Sequence, residues 1–178
     1  MENWKTLSRE KVLERGKFLT VEDHTVELPD GRTIPQWPWV ITPDFVNVLA
    51  VTEEGQFLCF RQTKYAVEGV TLATVGGYIE PGEDPLLAAK RELLEEMGYE
   101  SHNWVSLGKY IVDGNRGAGM AHLFLARNVS FSGKAESDDL EELEMIYLSR
   151  NEIADALVSG EFKLLSWSLT VSLSLNHV

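Results

Sequence analysis

Two stretches of this sequence hold the residues best placed to do chemistry. Gly76-Gly77-Tyr78-Ile79-Glu80-Pro81-Gly82-Glu83 is followed, after seven residues, by Arg91-Glu92-Leu93-Leu94-Glu95-Glu96-Met97-Gly98-Tyr99. On a helix turning ~100° per residue, Glu92 and Glu96 fall within about 40° of each other, with Glu95 about 60° to the other side of Glu92. Such a face carries three like charges, which repel unless something offsets them, and more so where water is excluded. A glutamate pair on a helix is ordinarily a solvated face. Here apolar residues flank it on both sides, Leu86, Ala89, Leu93 and Met97 in one stripe and Leu87 and Leu94 in another, so the helix packs against other structure. A divalent cation is the simplest offset. Hard, all-oxygen ligands suit Mg2+, with Mn2+ as the alternative, and such an ion could neutralise a diphosphate and activate a water. The glycine-containing loop before the helix lets main chain come close, with Gly76 placed to offer a carbonyl. Glu83 and Arg91 would then form an ion pair tying loop to helix.

The elements that must position these groups are readable from local signals. A helix is expected from Asp84-Pro85, an N-cap followed by a good first helical residue, to Gly98, a natural terminating glycine. A second begins at Ser149, where Glu152 completes a capping box, and stops by Gly160. Strands are expected over Phe18 to Leu28, Phe45 to Thr52, Gln56 to Arg61, Thr71 to Val75, Val105 to Val112, Ala121 to Arg127 and Leu143 to Leu148. Pro29-Asp30-Gly31-Arg32 and Glu53-Glu54-Gly55 read as hairpin turns. Ile34-Pro35-Gln36-Trp37-Pro38-Trp39 holds two prolines and reads as an extended connector outside any ladder. In the tail, Leu165, Trp167, Leu169, Val171, Leu173 and Leu175 alternate with the period of a strand, a helix being the alternative.

At this point the sequence resembles the Nudix hydrolase family. Every fixed position of that family's box is filled, by Gly77, Glu83, Arg91, Glu92, Leu93, Glu95, Glu96, Gly98 and Tyr99. The resemblance implies an α/β fold, an α/β/α sandwich with a mixed sheet. It also implies metal bound by Glu92 and Glu96, assisted by Glu95 and the carbonyl of Gly76, with water attacking one phosphorus of a diphosphate. The family's general base varies in position. In this chain the later acidic loop is Glu136-Ser137-Asp138-Asp139-Leu140-Glu141-Glu142, from which Glu141 is the first choice, with Glu142 and Asp139 next.

Outside the box the chain looks like the ADP-ribose and nucleotide-sugar pyrophosphatase branch, on the segment ending in Leu28-Pro29-Asp30-Gly31-Arg32, the strand end Phe60-Arg61-Gln62 and the length of chain before the box. That likeness implies a small N-terminal β element over 1–40, helping to build a homodimer, a hydrolase domain over 41–178 and a helical tail from about Ser166. One departure concerns the substrate. ADP-ribose hydrolases of the family usually carry a proline a short way past the box, where this chain reads Asp113-Gly114-Asn115-Arg116-Gly117-Ala118-Gly119. This loop is either a hairpin turn or a cradle presenting amides and the Arg116 guanidinium to phosphate or sugar. Trp37 and Trp39 can stack a base or pack at a junction, and Arg61 can contact phosphate or serve as a surface charge. His122, alternating with apolar residues, reads as a core histidine.

Bulk properties narrow the partners. Acidic residues outnumber basic ones 28 to 16, a net charge of −12, which argues against a nucleic-acid backbone; the small nucleotide diphosphate that the resemblance implies would need metal ions to bridge the repulsion. With 44% hydrophobic and 25% charged residues, the 178-residue chain has the balance of an ordinary globular protein. No apolar run is long enough to cross a bilayer and the N-terminus lacks a secretory profile, so no membrane partner and a cytoplasmic location are expected. Cys59, in an apolar stretch, reads as a buried core residue. The competing functions are hydrolysis of nucleoside triphosphates by the same metal site, or nucleotide binding without turnover.

Overall fold

A computed structural model describes residues 1–133 and 143–178. The chain forms two compact units, residues 1–44 with 110–120, and residues 45–109 with 121–178. Among the described residues no helix is long and apolar enough to cross a membrane.

The first unit is an antiparallel sheet of β1 (Lys5–Arg15), β2 (Leu19–Glu27) and β3 (Thr33–Ile41). The Pro29 to Arg32 turn closes as expected, with the amide of Gly31 donating to the carbonyl of Leu28 and that of Leu28 to Arg32. The sequence reading is corrected at two places. Residues Lys5–Arg15, charged at many positions, form a paired strand that no apolar alternation announces. The segment Ile34 to Trp39 is no connector: Trp37 pairs with His24, Pro38 with Asp23 and Trp39 with Glu22. Pro35 fits because the register shifts between His24 and Val26, and Gln36 takes a positive φ of 56° there, a bulge that relieves the ladder around it.

The second unit is built on β4 (Phe45–Thr52), whose residues Val46 to Val51 are all buried. A strand buried on both faces reads as a nearly continuous apolar run, as this one does. β4 pairs parallel with β10 (Gly117–Phe131) along one edge. Its other edge is shared. Ala50 and Val51 pair with β5 (Phe57–Gln62), while Phe45 to Val48 pair with β7 (Val75–Tyr78). β6 (Thr71–Ala73) pairs with β5, so at Thr74 the chain passes from one strand to the other. β11 (Glu144–Leu148) covers the far edge of β5, and β8 (Tyr99–Glu100) and β9 (Asn103–Asp113) pair with β10.

The helix α1 (Pro85–Glu92) packs on β7 and β4, and α3 (Leu165–Ser174) also packs on β4. α2 (Arg150–Val158) lies against β11 and α3. The result is a mixed sheet with helices on both faces, over a core from Val46 through Leu125 to Val171. The tail is therefore helical. Its alternation misleads because the residues it buries, Trp167, Thr170, Val171 and Ser174, follow helical spacing.

Candidate functional site

Asp84 caps α1 by accepting from the amides of Leu86 and Leu87, with Pro85 at the first position. The helix does not run unbroken to Gly98. Leu93–Met97 form a π-helical turn, closed at Gly98 in the left-handed conformation, φ 73°, a geometry that favours glycine. Within this stretch the three carboxylates separate in role. Glu96 reaches back to β7, where its Oε2 accepts from the amide of Gly76 at 3.3 Å. Glu92 is 9% exposed, and its carboxylate lies so close over Gly77 that a Cβ there would stand 2.1 Å from Oε1. Glu95 is exposed on the helix surface.

Arg91 ties the group together. Its Nε and Nη2 each donate at 3.0 Å to one oxygen of Glu83, the planar fork meeting a carboxylate edge-on. Nη1 donates to Glu92 at 2.7 Å and to Glu95 at 3.1 Å, and Nη2 also reaches the carbonyl of Tyr78. The expected ion pair between Glu83 and Arg91 is thus present within a wider network. Its electrostatics follow. The hydrogen bond from Arg91 holds the Glu83 carboxyl below the ordinary carboxylate range, and its carboxylates push the guanidinium pKa further up.

Do these residues suit a divalent cation? Glu92 lies over Gly77, where glycine leaves the room a side chain would fill, and Glu96 accepts from the neighbouring Gly76 amide. The donors are hard oxygens, as Mg2+ requires. Among the described residues no group of three or more His, Cys, Asp or Glu side chains is disposed to hold an ion. Two carboxylates, Glu92 and Glu96, offer hard oxygens of the kind that suit an ion keeping several waters, and do not form a closed protein cage.

Other expected residues lie elsewhere. Glu141, Glu142 and Asp139 fall outside the described residues. Arg61 is exposed on β5 and donates to Glu144, its cross-strand partner on β11, at 3.0 Å. In the Asp113 to Gly119 loop, Asp113 Oδ1 accepts the amides of Asn115 and Arg116, and Arg116 pairs with its carboxylate at 3.4 Å. Those two amides are used within the turn, the hairpin alternative read from the sequence. Asp113 is held below its ordinary pKa, first by the Asn115 amide. Trp37 donates from Nε1 to the carbonyl of Asn115 at 2.8 Å. Cys59 is buried, and burial pushes its thiol up to about 12, which keeps it unreactive.

Sequence reasoning missed three features. Asn47, 4% exposed, stands opposite Gly76 with its Oδ1 unpartnered among the described residues; a polar residue inside Phe45-Val46-Asn47-Val48-Leu49 was the available signal. The Tyr78 carbonyl joins the Arg91 network, and no sequence signal marks a main-chain acceptor. A cavity of about 410 Å³ in the N-terminal unit is lined by Trp4, Trp37, Trp39, His24 and Asn115 among others. Trp4 and His24 could not have been assigned to it before the strands were paired.

The fold and the box geometry define a class, and comparison with known proteins agrees. The NUDIX domain profile matches residues 42–168, and that of the nucleoside diphosphate sugar hydrolase N-terminal domain matches residues 4–40. The chain belongs to the Nudix family and is a Nudix pyrophosphohydrolase. Its likeness lies with the ADP-ribose and nucleotide-sugar pyrophosphatase branch. It is 31% identical to the ADP-ribose pyrophosphatase of Bacillus subtilis (strain 168), over 86% of this chain and 80% of that protein. It is 30% identical to the methanol dehydrogenase activator of Bacillus methanolicus, over 83% of this chain and 80% of the relative. A crystal structure of an ADP compounds hydrolase superposes with a TM-score of 0.84 at 20% identity, covering 99% of this chain and 95% of that one, and shows the same fold.

Proposed function

We propose that this protein hydrolyses the diphosphate bond of a nucleoside diphosphate linked to another group, ADP-ribose or a related nucleotide sugar, releasing a nucleoside monophosphate and a sugar phosphate. The observation that carries this reading is the seating of Glu92 on Gly77 and of Glu96 on Gly76, which gathers oxygen donors on one piece of backbone. Glu92, Glu96 and the Gly76 carbonyl would hold Mg2+, with Mn2+ as a substitute. When bound, the ion supplies charge neutralisation of the diphosphate and Lewis acidity. Arg91 fixes the Glu92 carboxylate and, through Glu83, the loop ahead of the helix. Water attacks phosphorus, the bridging P–O bond breaks, and the water's proton passes to a carboxylate. Glu95, exposed at the helix surface, is one candidate for that proton; Glu141 and Glu142 are the others. Comparison of Glu95→Gln with Glu141→Gln separates them, since only the base should cost turnover with metal affinity retained.

Trp37 and Trp39 are assigned to the nucleobase, and Arg61 and Arg116 to the phosphate or sugar side. The exposed Leu7, Val12 and Phe18 of the N-terminal sheet region support a homodimer built through it, which light scattering would read directly. A cytoplasmic site of action belongs to the same proposal. The test is a hydrolysis screen over ADP-ribose, other nucleotide sugars, dinucleotides and nucleoside triphosphates, with Mg2+ or Mn2+ and a chelator control. AMP and ribose 5-phosphate from ADP-ribose support the reading. Pyrophosphate released from triphosphates alone moves the substrate, and no cleavage of anything refutes it.

A further inference from the structure

The cavity of the N-terminal unit holds a buried imidazole that the hydrolytic chemistry does not use. Register places four side chains in a square on one face of the sheet: Glu22 and His24 two apart on β2, opposite Trp39 and Trp37 on β3. His24 is 4% exposed and its ring stacks on Trp39, centroids 5.5 Å apart at 17°. Trp4 meets Trp37 edge-on at 5.3 Å. The walls are therefore aromatic, suited to a flat ring, and stacking of that kind accepts any base. Discrimination must come from a polar group facing the ring's edge.

In its neutral form His24 supplies one whose direction Glu22 sets. Its Nε2 lies 2.8 Å from the Glu22 carboxylate, an acceptor only, so Nε2 carries the proton. In the neutral ring Nδ1 is then a bare lone pair. Among the described residues no donor meets Nδ1, nor is it one of the sealed polar atoms lacking a partner, while His24 itself lines the cavity. An acceptor there takes an N–H edge and repels a carbonyl.

We propose that His24, oriented by Glu22, makes this cavity selective for a heteroaromatic base with an exocyclic amino group, as in adenine or cytosine, over its oxo counterpart. This rests on the reading that the substrate is a nucleotide conjugate. A pocket that hydrogen-bonds one edge rejects the analogue lacking it more strongly than apolar contact can.

Three tryptophans line the cavity, so intrinsic fluorescence reports its occupancy independently of turnover. Titration of the whole protein with AMP, IMP and N6,N6-dimethyl-AMP should show AMP bound roughly tenfold more tightly than either of the others, the effect of one net hydrogen bond and one repulsion. His24→Phe keeps a flat ring on Trp39 and removes the acceptor, so its AMP to IMP ratio should fall to about one. Should that variant fold poorly, the dimethyl compound on the unmodified protein still decides. Equal affinities for AMP and IMP, absence of binding of both, or a preference that survives His24→Phe would overturn the proposal. Cleavage of nucleotide conjugates with no such preference removes this inference alone, whereas a chain that cleaves none removes the enzymatic reading whatever the titrations show.

Discussion

Gly77→Ala isolates the placement of one carboxylate. The backbone at Gly77 does not need a positive φ, so alanine brings no conformational strain, only volume. Its Cβ would lie 2.1 Å from Glu92 Oε1, 2.3 Å from Cδ and 2.5 Å from Oε2, where ordinary contact begins at 3.4 Å. The carboxylate must retreat by about 1.3 Å, with the 3.4 Å threshold as the reference. It cannot swing freely, because Arg91 holds Oε1 at 2.7 Å and the side chain is only 11% exposed. A displacement of that size in a reacting geometry costs on the order of a hundredfold in turnover. We expect kcat on the best substrate to fall by about that factor, with a higher Mg2+ requirement and a melting temperature lowered by only a few degrees. Steady-state kinetics across a Mg2+ titration, beside thermal unfolding, checks this. Turnover within about threefold of the unmodified protein at the same Mg2+ midpoint would refute the placement of Glu92 on Gly77 as functional.

Glu96→Gln should lower turnover at least roughly a hundredfold while the melting temperature holds, because an amide is a far poorer ligand for a hard cation; near-normal turnover in the folded variant removes the metal assignment. Arg91→Met leaves Glu92 buried without its partner, and should destabilise by about 3 kcal/mol, the low end for a broken buried pair because Arg91 is 28% exposed. Urea unfolding that finds under about 1 kcal/mol would show that the network holds nothing together. Because the folded Glu83 pKa is lowered, its contribution is present above the ordinary carboxylate value of 4.5 and is lost as pH falls through the folded value. The melting-temperature gap between the unmodified protein and Glu83→Gln should therefore be full at neutral pH and close below that value; a gap independent of pH contradicts it. Ser149→Ala removes the capping box of α2 and should cost about 1 kcal/mol, read as a melting temperature lower by roughly 2–4 °C.

The amino-acid sequence alone determined the box, the start of α1 at Asp84, the glycine at Gly98 that closes the π-helical turn after it, and the capping box at Ser149. Each rests on interactions within a few residues of chain, so the signal and its partner lie in the same short window. The hairpins around Gly31 and Gly55 were legible for the same reason. Tertiary structure decided the rest. The tail alternates like a strand, yet α3 forms because helical geometry gathers Trp167, Thr170, Val171 and Ser174 into one buried stripe and the helix lies on β4. Prolines argued against pairing at residues 34–39, yet β2 accepts that segment across a bulge. Glu96 accepts from the amide of Gly76 on β7, a tertiary partner that a helical wheel cannot name, whereas the Glu95–Arg91 pair is the ordinary one-turn neighbour it already contains. Trp4 and His24 become one cavity with Trp37 and Trp39 only once β1, β2 and β3 are in register. A periodicity records which residues seek burial, but which surface buries them depends on segments far away in the chain, and that choice is made only when those surfaces meet.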